Sequence, residues 1–368
     1  MEDSAKTSLV AKTQPDVVIF EGNYPAWPWV LKTSSGDLVC MFREDKRKTC
    51  EGSGHGFTPM GRQLITRSTD NGRTWSPTTM LRDVPDVDDC GSGVIELPDG
   101  TLLAACYSRL MRSGGPSQTW VTRSKDGGQT WTPAIILTDE DTRLRAAPVL
   151  MSNGDILVPI YRSMFSDKGH VCMTSISSDG GKTWDIGYVP NAPGDELNEW
   201  GAMEVEPGRI IGLHRDEAEA TRGSYWITES HDFGRSWTDP AKSNVRCGFA
   251  AASPHLGRHG NRVVLTYAED RMVSVAMVTT DDPDYLQWDV ENRVRCFQYR
   301  ADGKRIADAS YPCSVDTGPH ERLVVDYEIE SLVTPDPETI VIDYDLKAER
   351  KQITGHFVET PMDWGTAD

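Results

Sequence analysis

The sequence predicts an all-β fold, a six-bladed β-propeller of four-stranded antiparallel blades, and three observations carry that prediction. The first is a repeated box, S-x-D-x-G-x-[ST]-W, found at Ser68–Trp75, Ser124–Trp131, Ser177–Trp184 and Ser230–Trp237. A degenerate fifth copy, Thr280–Trp288, keeps Asp282 and the Trp but lacks the glycine. The second is the period: successive box tryptophans are 56, 53, 53 and 51 residues apart. Fixed spacing in this range marks a repeat architecture, and about 40 to 50 residues is typical of a propeller blade. The third is a repeat upstream of the boxes, in which a turn is followed by an apolar strand that ends in charge. Its six copies are GDLVCMFRED (36–45), GTLLAACYSR (100–109), GDILVPIYRS (154–163), GRIIGLHRDE (208–217), NRVVLTYAEDR (261–271) and ERLVVDYEIE (321–330).

Each element of a blade follows from these runs. The first strands are WPWVLK, GVIELP, APVLMS, AMEVEP, AAASPH and SYPCSV, each one hairpin turn before its second strand. Short β-only runs separated by turn signals are the all-β pattern. Continuous apolar second strands suit burial on both faces between neighbouring blades. Within the box, Asp bonds nearby backbone N–H groups and Gly accepts a positive φ, so the box is a turn between strands three and four, anchored by its Trp. Residues 1–15 read as a loose tail, and 16–368 as a single propeller domain. The short apolar strand Val17 to Phe20 stands before the first blade and is expected to complete the last one.

Bulk properties exclude several functions. There are 56 acidic against 38 basic residues, for a net charge of −18. This argues against nucleic acid, whose binding rests on neutralised phosphates, and against an anionic membrane surface. An anionic sugar would need local arginines against the overall field. Eight scattered cysteines without C-x-x-C spacing indicate neither zinc nor a disulfide framework. No metal or other cofactor is expected. No run approaches a transmembrane length, and the N-terminus has no apolar signal core, so cytoplasmic is the default location. Oligomeric state is left open.

Antiparallel connectivity then fixes where chemistry belongs. Strand-one starts and strand-two ends share one rim, and the boxes occupy the other. Arg43, Glu44, Asp45, Arg109, Arg162, Arg215, Asp216, Arg271 and Glu328 therefore converge on one face near the axis.

The boxes resemble Asp boxes, also called BNR repeats, and the chain is similar to members of the sialidase (neuraminidase) superfamily. The resemblance implies a six-bladed propeller that binds an acidic glycan. It also implies roles for particular residues. Glu199 starts a first strand and Arg215 ends the second strand sixteen residues later, which resembles the sialidase Glu followed by the second arginine of an arginine triad. Arg271 is similar to the third arginine. Tyr311, in ASYPCSV, stands where the family has its nucleophilic tyrosine. The chemistry is coherent: a sialoside carries a carboxylate on its anomeric carbon, which repels a carboxylate nucleophile but not a neutral hydroxyl. Tyrosine needs a base within reach, and Glu199 would be that base. Arginine forks clamp a carboxylate bidentately.

The first blade departs from the family pattern. Where the triad's first arginine is expected the chain reads Tyr24-Pro25-Ala26-Trp27-Pro28. Arg43 or Lys46 could substitute. The general acid is sought in REDKRKTCEGSGHG, ranked Asp45, then Glu51, then His55. Asp88 and Asp89 precede the first strand of blade two and would contact sugar hydroxyls or cap a turn. The expected function is an exo-acting, sialidase-like glycoside hydrolase that releases a terminal sialic acid or related acidic sugar. The alternatives are a uronic-acid-directed hydrolase or lyase recruiting Arg43, His55, Arg162 or His170, and a non-catalytic glycan-binding propeller.

Overall fold

The computed structural model describes residues 12–46, 59–110, 116–162, 169–191, 197–216, 223–247, 252–301, 306, 308–329 and 350–367. They form six antiparallel sheets around an axis. Blade one is Pro25–Lys32, Leu38–Asp45, Gly61–Ser68 and Thr79–Arg82; blade two is Asp88–Glu96, Leu102–Arg109, Ser117–Ser124 and Ile135–Ile136. Blade three opens with two short pieces, Thr142–Arg143 and Val149–Leu150, followed by Ile156–Arg162, Val171–Ser177 and Asp185–Tyr188. Blade four is Leu197–Glu206, Arg209–Asp216, Ser224–Ser230 and Ala241–Arg246. Blade five is His255–His259, Arg262–Asp270, Ser274–Thr279 and Val294–Gln298. Among the described residues the helical elements are two single 3₁₀ turns, Val290–Asn292 and Met362–Trp364. No helix among them is long and apolar enough to cross a membrane.

Blade six closes the ring. Its inner part is Asp308–Ala309 and Cys313–Gly318, then Glu321–Ile329 and Lys351–Glu359, and its outermost strand is Val17–Glu21 from the far end of the chain. Of the expected loose tail, residues 1–11 lie outside the described residues, whereas Lys12 is tied down. Lys12 bridges Phe297, and its ammonium reaches the Phe357 carbonyl at 2.7 Å. Blade five also differs from expectation: its first strand is His255–His259 rather than AAASPH, since Pro254 has no N–H to give a ladder.

The second strands are buried along their length, as in Leu38–Asp45, where all eight residues are buried. They pack between blades: Val39, Met41 and Ile65 meet Val94, Leu102, Ala104 and Cys106. The boxes staple the rim away from the site. In the first, Asp70 accepts the Thr74 N–H and hydroxyl at 2.9 and 2.6 Å, Ser68 Oγ accepts the Gly72 N–H, and the Trp75 indole N–H donates to the Gly72 carbonyl. These bonds hold the Asp70 carboxyl down at about 2. Arg73 of this box pairs with Glu321, in the hairpin between strands one and two of blade six, at 2.7 Å.

The first strands surround an axial channel of about 590 Å³. Among the described residues five of the six share one irregularity that matters for everything at its far end. Register breaks between Ala26 and Trp29, Cys90 and Gly93, and Asn198 and Gly201, with positive φ at Trp27 (54°), Gly91 (74°) and Glu199 (27°). Blade six breaks at Ser310 (78°), and blade three between its two short pieces. Such bulges re-aim side chains; here they turn them toward the axis.

Candidate active site

One position is equivalent in all six blades and falls in these breaks in five of them. Leu31, Ile95, Val149, Met203, Gly257 and Val315 pair with Val39, Leu103, Leu157, Ile211, Val264 and Leu323 in the adjoining hairpins. Four residues earlier in each blade stand Trp27, Gly91, Arg145, Glu199, Ser253 and Tyr311. The ring therefore presents, in order, an aromatic plate, a gap, a cation, a carboxylate, a hydroxyl and a phenol.

Glu199 is the hub. Its Oε2 accepts the Tyr311 hydroxyl at 2.8 Å and pairs with Arg215 Nη1 at 2.8 Å. Its Oε1 faces Arg145 Nε at 3.3 Å and the Tyr161 hydroxyl at 3.5 Å. Burial alone would raise this carboxyl, but Arg215, then Arg145, the Tyr311 bond and Arg271 hold it below the usual carboxylate range. Tyr311 is shifted the other way. Burial and then the Glu199 charge raise its phenol, while Arg271, Arg215 and Arg145 pull it partly back.

The cations close around this pair. Arg215 is oriented by Asn198 Oδ1 at 2.8 Å and donates to the Tyr311 hydroxyl at 3.4 Å. Arg271 lies 5.2 Å from the Tyr311 ring centre and pairs with Asp308 at 3.3 Å; Asp308 also accepts the Tyr24 hydroxyl. Arg145 lies 5.7 Å from the Tyr311 ring, 5.1 Å from Tyr107 and 4.1 Å from Trp27. Its Nη1 is buried and has no hydrogen-bond partner among the described residues. A Cβ at Gly91 would collide with the Tyr107 ring at 2.3 Å, so glycine there admits the tyrosine beneath Arg145.

Sequence reasoning singled out Tyr311, Glu199, Arg215 and Arg271, and these four lie together. It missed Arg145, whose signal is its offset: four residues before the same paired position as Glu199 and Tyr311, and 54 residues before Glu199. Arg43 is fully buried against Asp88 at 2.8 Å, 3.7 Å from Asp45 and 5.4 Å from the Trp27 ring, so it borders the cluster from behind Trp27. Asp45 is buried with it.

Two expected contacts lie elsewhere. Asp89 points away from its neighbour Asp88, as strand alternation requires, and is taken up by Arg82 at 2.9 Å, Ser108 at 2.5 Å and the Val84 N–H at 3.0 Å. Arg162 pairs with Glu140 at 2.7 Å and lies over Tyr188 of the fourth strand of blade three. Lys46 pairs with Asp83 at 2.6 Å. Glu51 and His55 lie outside the described residues.

Comparisons with known proteins agree with this architecture. A family model described as a BNR repeat-like domain matches residues 110–272. A sialidase of Paraclostridium sordellii is 24% identical over 252 residues, covering 59% of this chain and 59% of its own. The chain thus spans about three fifths of that relative's length. Among solved structures, a protein of unknown function from Dyadobacter fermentans superposes with a TM-score of 0.75 at 21% identity, covering 96% of this chain and all of its own. The NanB sialidase of Streptococcus pneumoniae gives a TM-score of 0.70 at 12% identity, covering 99% of this chain and 73% of its own. At these identities the structural likeness shows the fold.

Proposed function

We propose that this Asp-box six-bladed β-propeller, which is similar to sialidases over part of its length, is an exo-acting glycoside hydrolase that releases a terminal acidic sugar with Tyr311 as nucleophile. The observation that carries this reading is the 2.8 Å bond between Tyr311 and Glu199 inside a ring of three arginines. Arg145, Arg215 and Arg271 form the carboxylate clamp, and Arg145 takes the part of the cation missing from blade one.

The chemistry proceeds in two displacements. The Tyr311 oxygen bonds to the anomeric carbon as the bond to the leaving oxygen breaks; the phenol proton passes to Glu199, and the leaving oxygen takes a proton from the general acid. Water then attacks the same carbon and gives its proton to the general acid left deprotonated by the first step, the tyrosyl bond breaks, and Tyr311 recovers its proton from Glu199. The acid is sought among Asp45, Glu51 and His55.

The opposed shifts of Glu199 and Tyr311 make the first proton transfer unfavourable in the empty site. A substrate carboxylate seated on the arginines offsets the charge that holds Glu199 down, so the base strengthens when an acid is bound. A neutral sugar would not do this. Trp27 in place of the first-blade arginine favours an acidic sugar other than an ordinary sialoside, uronic acids included.

A panel of aryl glycosides of sialic, related keto-deoxy and uronic acids tests the reading, together with a carboxylate-bearing glycal inhibitor. Tyr311→Phe and Glu199→Gln are expected to bind the inhibitor like wild type while turnover falls by about 10²- to 10⁴-fold or more. Arg145→Met is expected to weaken the inhibitor by about 10- to 100-fold, the loss of one charge-assisted bond. Full turnover by Tyr311→Phe on the true substrate would overturn the nucleophile assignment.

A further inference from the structure

Tyr311 follows Ser310, whose φ of 78° is one that non-glycine residues rarely adopt. Such a conformation persists only where its surroundings enforce it. The enforcing group lies behind the site, on the second strand of blade six. Asp326 is fully buried, and its Oδ1 accepts the N–H groups of Tyr311 and Tyr327 at 3.0 and 2.8 Å. Its Oδ2 accepts the Tyr299 hydroxyl at 2.5 Å. The Ser310 hydroxyl donates to the Tyr299 oxygen at 3.2 Å and accepts the Met272 N–H at 2.7 Å. Met272, with φ of 64°, is the residue after Arg271.

One chain of hydrogen bonds therefore runs from the backbone beside Arg271, through Ser310 and Tyr299, to Asp326 and back to the Tyr311 amide. The nucleophile and one clamp arginine stand on turns joined by a single carboxyl. Among the described residues no cation pairs with that carboxyl; its partners are neutral donors, and burial pushes it up to about 7. A buried carboxyl in that setting is a cost to the fold, and local packing would be met as well by an apolar side chain. Three donors converging on one group, two of them peptide N–H, give it a use.

We infer that Asp326 is a positioning residue that sets the Tyr311 oxygen against Glu199 and fixes its register with Arg271. This rests on the proposed nucleophilic role of Tyr311. Asparagine can keep the two peptide bonds through its oxygen, with Tyr299 turning from donor to acceptor. Alanine loses all three. Near-attack geometry is steep: a misplacement of about 1 Å costs about 10²-fold in rate.

The experiment compares wild type, Asp326→Asn, Asp326→Ala, Tyr299→Phe and Tyr311→Phe for kcat, KM, inhibitor affinity, thermal unfolding and amide exchange at Tyr311. Asp326→Ala is expected to lose about 10²-fold in kcat with KM and inhibitor affinity within about threefold, and to exchange its Tyr311 amide faster. Asp326→Asn is expected to recover most of the loss, and Tyr299→Phe to fall between. Asp326→Ala with wild-type kcat overturns the inference, as does a loss that tracks only the folded fraction. Should Asp326→Ala fail to fold, Tyr299→Phe decides: unchanged kcat overturns the inference, and reduced kcat at constant KM supports it. Tyr311→Phe separates the two readings. If it is inactive while Asp326→Ala is normal, only the positioning role falls. If it is fully active, the nucleophile assignment falls, and the amide exchange still reports whether Asp326 holds the turn.

Discussion

Two carboxyls of the same site titrate in opposite directions because of what surrounds each. Glu199 faces Arg215, Arg145 and Arg271, and sits below its ordinary value. Its contribution to stability is present above the unfolded value near 4.5 and is lost as pH falls through the lower folded value. Asp326 is raised to about 7 by burial first and by the like charge of Asp308, against the pull of Tyr299 and two peptide N–H groups. Its contribution has the other sign: it is present below the unfolded value near 3.8 and is lost as pH rises through about 7. The melting temperature of wild type minus that of Asp326→Asn should therefore fall between about pH 4 and 7.5. Differential scanning calorimetry at several pH values checks this, and a flat difference would contradict it. At this scale the sequence was informative wherever spacing alone sets position. The sixteen residues from Glu199 to Arg215 return the chain to the same rim, so that pair was legible. Arg145 carried the same signal, four residues before the position equivalent to Met203 and Val315, but it was missed because its first strand is split into two short pieces, Thr142–Arg143 and Val149–Leu150. For Asp89 the sequence left sugar contact and turn capping open, and the pleat, which turns it away from Asp88 to accept the Val84 N–H, decides for the second.

The boxes show the same division at the level of the element. Their residues dictate the turn, and the four regular copies repeat the bond from the box Ser to the box Asp within 2.7 to 2.8 Å. They do not dictate how deeply the tryptophan is buried, since that depends on the neighbouring blade. Trp184 is half-buried, and its indole N–H has no partner among the described residues. Trp288, in the degenerate copy, is 3% exposed, donates to the Tyr285 carbonyl at 2.7 Å and packs in the cluster between blades four and five. Tyr285 itself takes φ of 57°, the conformation the lost glycine would have supplied. Trp288→Ala should cost about 3–5 kcal/mol, as for a buried aromatic, and Trp184→Ala roughly half of that. Chemical denaturation measures both. Inhibitor affinity of the folded fraction should be unchanged, since the boxes lie on the far rim. The copy that looks weakest in sequence is thus expected to matter most for stability.

Across the whole molecule, fold class and blade number followed from the repeats, because each blade reuses one hairpin and one box. The closing strand was also anticipated from its isolation ahead of blade one. Val17 pairs with Gly355 and Glu21 with Gln352, so the two sides of that contact lie more than three hundred residues apart in the chain. Removing residues 12–21 would leave Lys351–Glu359 as a bare edge, which favours edge-to-edge association. The truncated protein should elute in part as oligomers and melt in a broader transition, whereas a monomer with a wild-type melt would show that closure contributes little. The same contact has a bearing on how the molecule comes into being. The strand Val17–Glu21 leaves the ribosome before the six blades that follow it and waits for the last. The pocket takes Trp27 from the opening blade and Tyr311 from the closing one, so a nascent chain holding five finished blades has stability to gain but nothing to bind with. The pocket is completed in one late, long-range step, the kind of contact that folds slowly.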